Sequence, residues 1–145
     1  MITVREFIPE DTDKIAELER ICFSRPWSGK EICRTALSEH AVYLTALFDN
    51  EIAGYIGVYA VEDVAEINNI AVFPKFRRSG VASALIDGLI KVCKERGVSK
   101  LSLDVRISNN AALKLYEKNG FYRVGSRRGY YAAPVEDAVL LDKDI

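Results

Sequence analysis

In 145 residues the sequence holds one histidine, one methionine, one tryptophan and three cysteines, and these scarcities remove whole classes of function. His40 stands alone, with no cysteine or carboxylate at metal-ligand spacing around it. It reads as a surface residue, and no metal site is expected. Cys22, Cys33 and Cys93 are odd in number, widely separated and form no C-x-x-C pair, so they read as reduced cysteines, outside any disulfide framework or zinc site. Nowhere does an apolar run approach the roughly 18 residues that a membrane span needs. The opening stretch, MITVREFIPEDTDK, carries acidic residues where a signal peptide would be apolar. A cytoplasmic protein with no membrane contact is the expectation.

An excess of charge of one sign is missing too. The 20 basic and 21 acidic residues give a formal net charge of −1, and they are interspersed. That leaves no broad electrostatic footprint for nucleic acid, so no direct nucleic-acid binding is expected. No linker, internal repeat or low-complexity tract interrupts the chain. What the chain does have is a hydrophobic fraction of 49%, ample for one core without disulfides or metals. Residues 1–145 are therefore expected to form a single domain.

Apolar spacing predicts the elements. Ile2 to Phe7 begins as a strand, and Pro9, Glu10 and Asp11 lead into a helix through Ile15, Leu18 and Cys22. Pro26 in SRPWS breaks it, and Ser28 caps a second short helix carrying Ile32, Cys33 and Leu37. Val42–Phe48 and Ile52–Val61 form a hairpin around Asp49, Asn50 and Glu51. A strand at Glu66–Val72 follows. Val81, Leu85, Ile86, Leu89, Ile90 and Cys93 then mark one face of a long helix ended by Gly97. Leu101, Leu103 and Val105 alternate with Ser102, Asp104 and Arg106, the period of a strand. Asn109 or Ser108 caps a further helix through Leu113, Leu115 and Tyr116, and strands from Phe121 and Glu136 close the chain. The order implies an α/β (α+β) fold: a mixed, mostly antiparallel sheet of about seven strands with about four helices. The crossover through the long helix makes its two flanking strands parallel.

Between that strand and the long helix lies FPKFRRSGVAS. Its Arg77, Arg78, Ser79, Gly80, Val81 and Ala82 fit the pattern Q/R-x-x-G-x-G/A. Backbone N–H groups at a helix start have no intrahelical acceptor and sit at the positive end of the helix dipole, which makes an anion site. Gly80 lets the backbone approach a pyrophosphate, and small Ala82 and Ser83 keep the first turn uncrowded. The bland alternative is an ordinary strand-to-helix turn with solvated arginines. A dinucleotide fingerprint and a Walker loop are both excluded, because the second glycine of the one and the G-K-S/T ending of the other are missing.

With these motifs the chain resembles the GNAT acetyltransferase superfamily along nearly its whole length. NIAVFPKFRRSGVASALI and VRISNNAALKLYEKNGF carry the resemblance. RPWS at Arg25–Ser28 and RRGYY at Arg127–Tyr131 point, within the superfamily, to bacterial ribosomal-protein alanine N-acetyltransferases. The resemblance implies a central splayed parallel pair of strands and acetyl-CoA as co-substrate. The backbone of Ile70, Ala71 and Val72 would pair with the pantetheine arm. Arg78, Ser79, Gly80, Val81, Ala82 and Ser83 would wrap the pyrophosphate, and Asn109 would hydrogen-bond the cofactor. Trp27, Tyr130 and Tyr131 would wall the groove for a peptide N-terminus, possible acceptors being led by the N-terminal alanine of ribosomal protein S18. No oligomeric state is implied.

Direct acetyl transfer needs a neutral amine, an oxyanion stabiliser and an acid near the leaving sulfur. The N–H of Val72 could serve as the stabiliser and the Tyr116 phenol as the acid, although a helix tyrosine also packs a core through its ring. The base is open between Asp104, where relatives carry glutamate, and Glu66 at the start of the other splayed strand. Arg106 offers Asp104 an ion-pair partner. Glu66, Asp104 and Glu136 together could suit a basic substrate peptide. Two other readings stand beside the first: acetylation of a small amine, polyamine or lysine side chain, and a non-catalytic acetyl-CoA-binding module.

Overall fold

A computed structural model describes residues 1–145. In chain order the elements are β1 (Ile2–Glu6), α1 (Thr12–Cys22), α2 (Gly29–Ala36), β2 (Ala41–Phe48), β3 (Glu51–Val61), β4 (Val64–Val72), α3 (Val81–Glu95), β5 (Lys100–Arg106), α4 (Asn110–Lys118), β6 (Tyr122–Ala132) and β7 (Val135–Asp144). The seven strands make one sheet in the order β1-β2-β3-β4-β5-β7-β6. All neighbours are antiparallel except β4 and β5. The mixed sheet, the parallel pair and the four helices expected from the sequence are all present.

Local chemistry explains several boundaries. The Ser28 hydroxyl accepts the Glu31 N–H at 3.2 Å while the Glu31 carboxylate accepts the Ser28 N–H at 3.3 Å, a reciprocal cap that starts α2. Asp49 and Asn50 both have positive φ, 48° and 70°, which these two residue types tolerate and which a two-residue hairpin turn requires. Glu51, expected in the turn, is thus the first residue of β3. Near the start of α1, Asp11 accepts both Arg5 guanidinium nitrogens at 2.7 and 2.9 Å, the Ile8 N–H at 3.1 Å and the Thr45 hydroxyl at 2.8 Å. That carboxylate ties β1, β2 and the turn into α1 together.

Two cores flank the sheet. Val81, Leu85, Ile86, Leu89 and Cys93 of α3 pack with Tyr116 of α4 against one face, on Val42, Leu44 and Ala46 of β2. Ile15, Leu18 and Ile32 of α1 and α2 pack on the other, against Ala41 and Tyr43. Strand β2 is consequently buried on both faces from Ala41 to Ala46.

The feature that makes room for a site is the short contact between β4 and β5. They pair at only three positions, Val64 with Lys100, Ala65 with Leu101 and Glu66 with Ser102. Just beyond, Asn69 pairs with Gly57 and Ile67 with Val58, leaving Asn68 as an extra residue. A bulge of this kind bends and twists the bulged strand, here away from β5. Gly57 opposite the bulge lies under the Tyr43 ring, which any Cβ there would strike. The parallel strands splay from that point on.

Candidate active site

The first part of the site is the loop entering α3. Arg78 and Gly80 have φ of 63° and 86°, and this left-handed path turns successive N–H groups the same way. The N–H groups of Arg78 through Ser83 find no acceptor within the protein, so the loop presents a set of free donors at the positive end of a 15-residue helix. A cavity of about 240 Å³ lies over it, lined by Arg77, Arg78, Gly80–Ser83 and Val72, with Leu115 and Lys118 of α4 on the far side. Ser79 is exposed and outside this lining. Arg77 turns inward, donating from Nε to the Val72 carbonyl at 3.2 Å and from Nη2 to the Cys22 sulfur at 3.4 Å. Such a cradle suits a pyrophosphate: backbone donors, three cationic side chains and no carboxylate.

Next along β4 is the gap itself. The Phe73 N–H donates to Ala53 of β3 at 2.8 Å. Antiparallel alternation then directs Ala71 towards β3 and turns the backbone groups of Ile70 and Val72 towards the gap. A cleft of about 500 Å³ fills that gap, between Ile67–Ile70 of β4 and Leu103–Arg106 of β5. Asn109, Ala112 and Tyr116, at spacings of three and four on α4, close it from below. The Asn109 side-chain oxygen accepts the Ala112 N–H at 3.1 Å and caps α4, which settles the choice between Asn109 and Ser108. Tyr116 is 4% exposed, and burial alone pushes its phenol well above the ordinary tyrosine range. It is a fully protonated donor at neutral pH.

An outer cavity of about 590 Å³ continues from this cleft, sharing Ile67, Asn68, Asn69, Asp104 and Tyr131 and adding Trp27, Tyr59, Glu66 and Tyr130. Half-buried Asp104 lines both spaces, whereas exposed Glu66 lines only the outer one. Tyr130 and Tyr131 stand nearly perpendicular with centroids 5.1 Å apart. Neighbouring strand residues normally point to opposite faces. A register shift between Arg127 and Tyr131, with Gly129 at φ 60°, brings both rings to the same cavity.

Arg106 does not pair with Asp104. It donates to Glu136 at 3.0 Å and to the Pro134 carbonyl at 2.9 Å, and its guanidinium lies 4.4 Å from the centre of the Tyr131 ring. Hydrogen bonding from Ser108 and Arg106 holds the Glu136 carboxyl below its usual range. Glu136 is therefore engaged with β5, and the acidic surface expected for a basic peptide reduces to Asp104 and Glu66. Reading the sequence alone missed Lys118, Asn119 and the α1 end at Cys22–Ser24. Leu115, Lys118 and Asn119 follow helical spacing towards α3, where Asn119 donates to the Ser83 hydroxyl at 3.3 Å, so periodicity carried that signal.

A glycine loop at a helix start, beside two parallel strands that splay around a buried tyrosine, defines the N-acyltransferase class of α/β folds. Residues 7–121 match the model of the Acetyltransferase (GNAT) family, and the chain belongs to that family. The ribosomal protein bS18-alanine N-acetyltransferase of Salmonella typhimurium is 35% identical over 143 residues, covering 97% of this chain and 96% of the relative. Among solved structures, the Escherichia coli ribosomal-protein-S18-alanine N-acetyltransferase superposes with a TM-score of 0.90 at 33% identity, over 100% of this chain and 94% of that one. Ard1 from Thermoplasma volcanium follows at 0.88 and 25% identity, over 99% and 97%. No helix is long and apolar enough to cross a membrane.

Proposed function

We propose that the protein is a cytoplasmic, single-domain enzyme that moves an acetyl group from acetyl-CoA to a protein N-terminal amine, with the N-terminal alanine of ribosomal protein S18 as acceptor. The observation that carries this reading is the continuous path from the donor-rich loop, through the cleft shared by Asp104 and Tyr116, to an outer cavity walled by Trp27, Tyr130 and Tyr131. Acidic and aromatic walls suit a cationic chain end followed by a peptide. The S18 acceptor is supported by relatives that align over nearly the whole chain and are named for that reaction.

The residues divide the work. The free N–H groups of Arg78–Ser83, with Arg77 and Lys118, hold the pyrophosphate, while Ile70 offers its backbone to the pantetheine arm and Val72, whose carbonyl accepts Arg77, keeps its N–H for the acyl oxygen. Asn109 uses its oxygen on α4 and has only its amide NH₂ left for the cofactor. Acetyl-CoA supplies the acetyl group as a thioester and leaves as CoA. Asp104 removes a proton from the incoming ammonium, directly or through water; its place on both cavities puts it ahead of Glu66. The Val72 N–H, facing the gap, stabilises developing negative charge on the acyl oxygen. Tyr116 gives its proton to the leaving sulfur, and the second proton, shed by the acylated nitrogen as the tetrahedral intermediate collapses, restores the phenol. An α-amine has a pKa near 8 against about 10.4 for lysine, so at neutral pH it provides roughly two hundred-fold more free amine. A short carboxylate such as Asp104 is then base enough.

The test is CoA release by the purified protein with a peptide that begins with alanine, the same peptide blocked at its N-terminus but carrying a lysine, and spermidine. Turnover confined to the free N-terminus supports the proposal. Turnover on the blocked peptide or on spermidine moves the acceptor class, and binding of acetyl-CoA without turnover on any of them removes the catalytic reading.

A further inference from the structure

One buried carboxylate beside the site has no part in the chemistry above. Glu19 occupies the apolar stripe of α1, at helical spacing with Ile15, Leu18 and Cys22, and is 1% exposed. A buried carboxylate is costly unless its oxygens are bonded, and here each oxygen has its own partner. Oε1 accepts the Trp27 N–H at 3.0 Å, and Oε2 accepts the Tyr55 hydroxyl at 2.5 Å. These partners belong to different walls. Trp27 lies in the connection between α1 and α2, outside any helix or strand, and borders the outer cavity. Tyr55 lies on β3 opposite Ala71 of β4 and stacks on Tyr43 at 6.2 Å.

Glu19 also forms part of a fourth cavity, about 330 Å³, together with Arg25, Trp27, Asn69 and Tyr131. Asn69, Tyr131 and Trp27 are shared with the outer cavity, so the carboxylate stands directly behind the acceptor wall. Burial first, and then Glu19, drive the Tyr55 phenol far above its ordinary range, which keeps its proton in place as the donor.

We propose that Glu19 is a positioning residue, which clamps the α1–α2 connection to β3 through the Trp27 N–H and the Tyr55 hydroxyl and so sets the Trp27 side of the acceptor groove. It touches no reacting atom. The kinetic part of this inference rests on the acceptor assignment made above; the structural part does not. Binding of the acceptor depends on the clamp, while the phosphate loop takes its shape from its own backbone and the start of α3 and meets α1 only through the Arg77–Cys22 contact.

Trp27 is the only tryptophan, so its fluorescence reports the connection without a label. In Glu19→Ala the acrylamide quenching constant of Trp27 is expected to rise about twofold, as a loop that has lost one hydrogen-bonded anchor opens to solvent. The acceptor KM rises about tenfold and the acetyl-CoA KM stays within about twofold, since misplacement confined to one wall costs that substrate alone. Glu19→Gln keeps an oxygen for the Trp27 N–H and returns both readouts to near the wild-type values. Should Glu19→Ala fail to fold, Tyr55→Phe replaces it, with raised quenching expected. Unchanged quenching in the folded variant overturns the proposal, and so does a parallel rise in both KM values, the mark of a general loss of structure. A wild-type protein that turns over no N-terminal peptide would sink the acceptor assignment instead, and the quenching comparison would still decide the clamp.

Discussion

Tyr116 meets Phe121 edge to face, with ring centroids 5.2 Å apart, so the ring is anchored by packing that does not involve its hydroxyl. Tyr116→Phe should therefore fold normally and leave the acetyl-CoA KM within about twofold while kcat falls about a hundredfold or more, the usual contribution of a positioned acid. Steady-state kinetics with both substrates varied separates the two effects, and an unchanged kcat would remove Tyr116 from the mechanism.

The same burial fixes a pH profile. With its pKa raised, Tyr116 remains in the proton-donating form throughout the neutral and mildly alkaline range. The rate should rise with pH towards the acceptor amine's pKa of about 8 and then stay level, with no descending limb below about pH 10. A fall between pH 8 and 9 would point to a different acid.

Asp104 borders both the cleft and the outer cavity, and Glu66 only the latter. Asp104→Asn is expected to lower kcat/KM about a hundredfold and Glu66→Gln less than about fivefold. Asp104→Glu should keep most of the activity, because it lengthens the reach without removing the carboxylate. Equal losses in Asp104→Asn and Glu66→Gln would mean that the two act together through water.

At Gly80 the backbone has φ of 86° while the nearest atom a Cβ would meet, in Ile2, is 3.9 Å away. The site has space for a side chain but a conformation that disfavours one, by about 1–2 kcal/mol. Gly80→Val should weaken acetyl-CoA binding at least tenfold by re-aiming the loop's N–H groups, as read by calorimetry, and lower the melting temperature by several degrees. Full affinity in that variant would contradict the phosphate-loop assignment.

Much of this was legible in the sequence where one local rule sufficed. The stripe from Val81 to Cys93, the alternation from Leu101 to Arg106, the Ser28 cap and the glycine loop each rest on neighbours within one element. The rest depends on pairing between distant strands. Period-two reading of Ile67 to Val72 passes straight over the extra residue at Asn68, yet that bulge is what opens the cleft. Tyr130 and Tyr131 share a cavity only because the register slips beside Gly129. Arg106 pairs with Glu136 across the β5–β7 seam, a partner from another strand that spacing along β5 does not reveal. Glu19 did leave a trace, a carboxylate on the apolar stripe of α1, but its partners come from a loop and from β3.

Asp11 gives a stability prediction. Burial opposes its charge, but hydrogen bonds from Arg5, Ile8 and Thr45 outweigh burial and hold its pKa below the ordinary value. The stabilisation is complete above the unfolded pKa of about 3.9 and is lost as pH falls through the lower folded value. Arg5 is 37% exposed, which weakens the pair, so Asp11→Asn should cost about 1–3 kcal/mol at pH 7. Urea unfolding should show that difference shrinking below about pH 4; a constant gap would mean that charge plays no part.

The three-position seam between β4 and β5 has a kinetic consequence. In the proposed complex the pantetheine arm lies along β4 at Ile70, so that a ligand completes the missing part of the ladder, and the reactant and the spent carrier complete it equally well. Only the acetyl group tells them apart, and that is what the reaction removes. Free CoA should thus compete with acetyl-CoA at comparable concentration, and escape of the used carrier from the seam, rather than bond making, should set the pace once acceptor is plentiful.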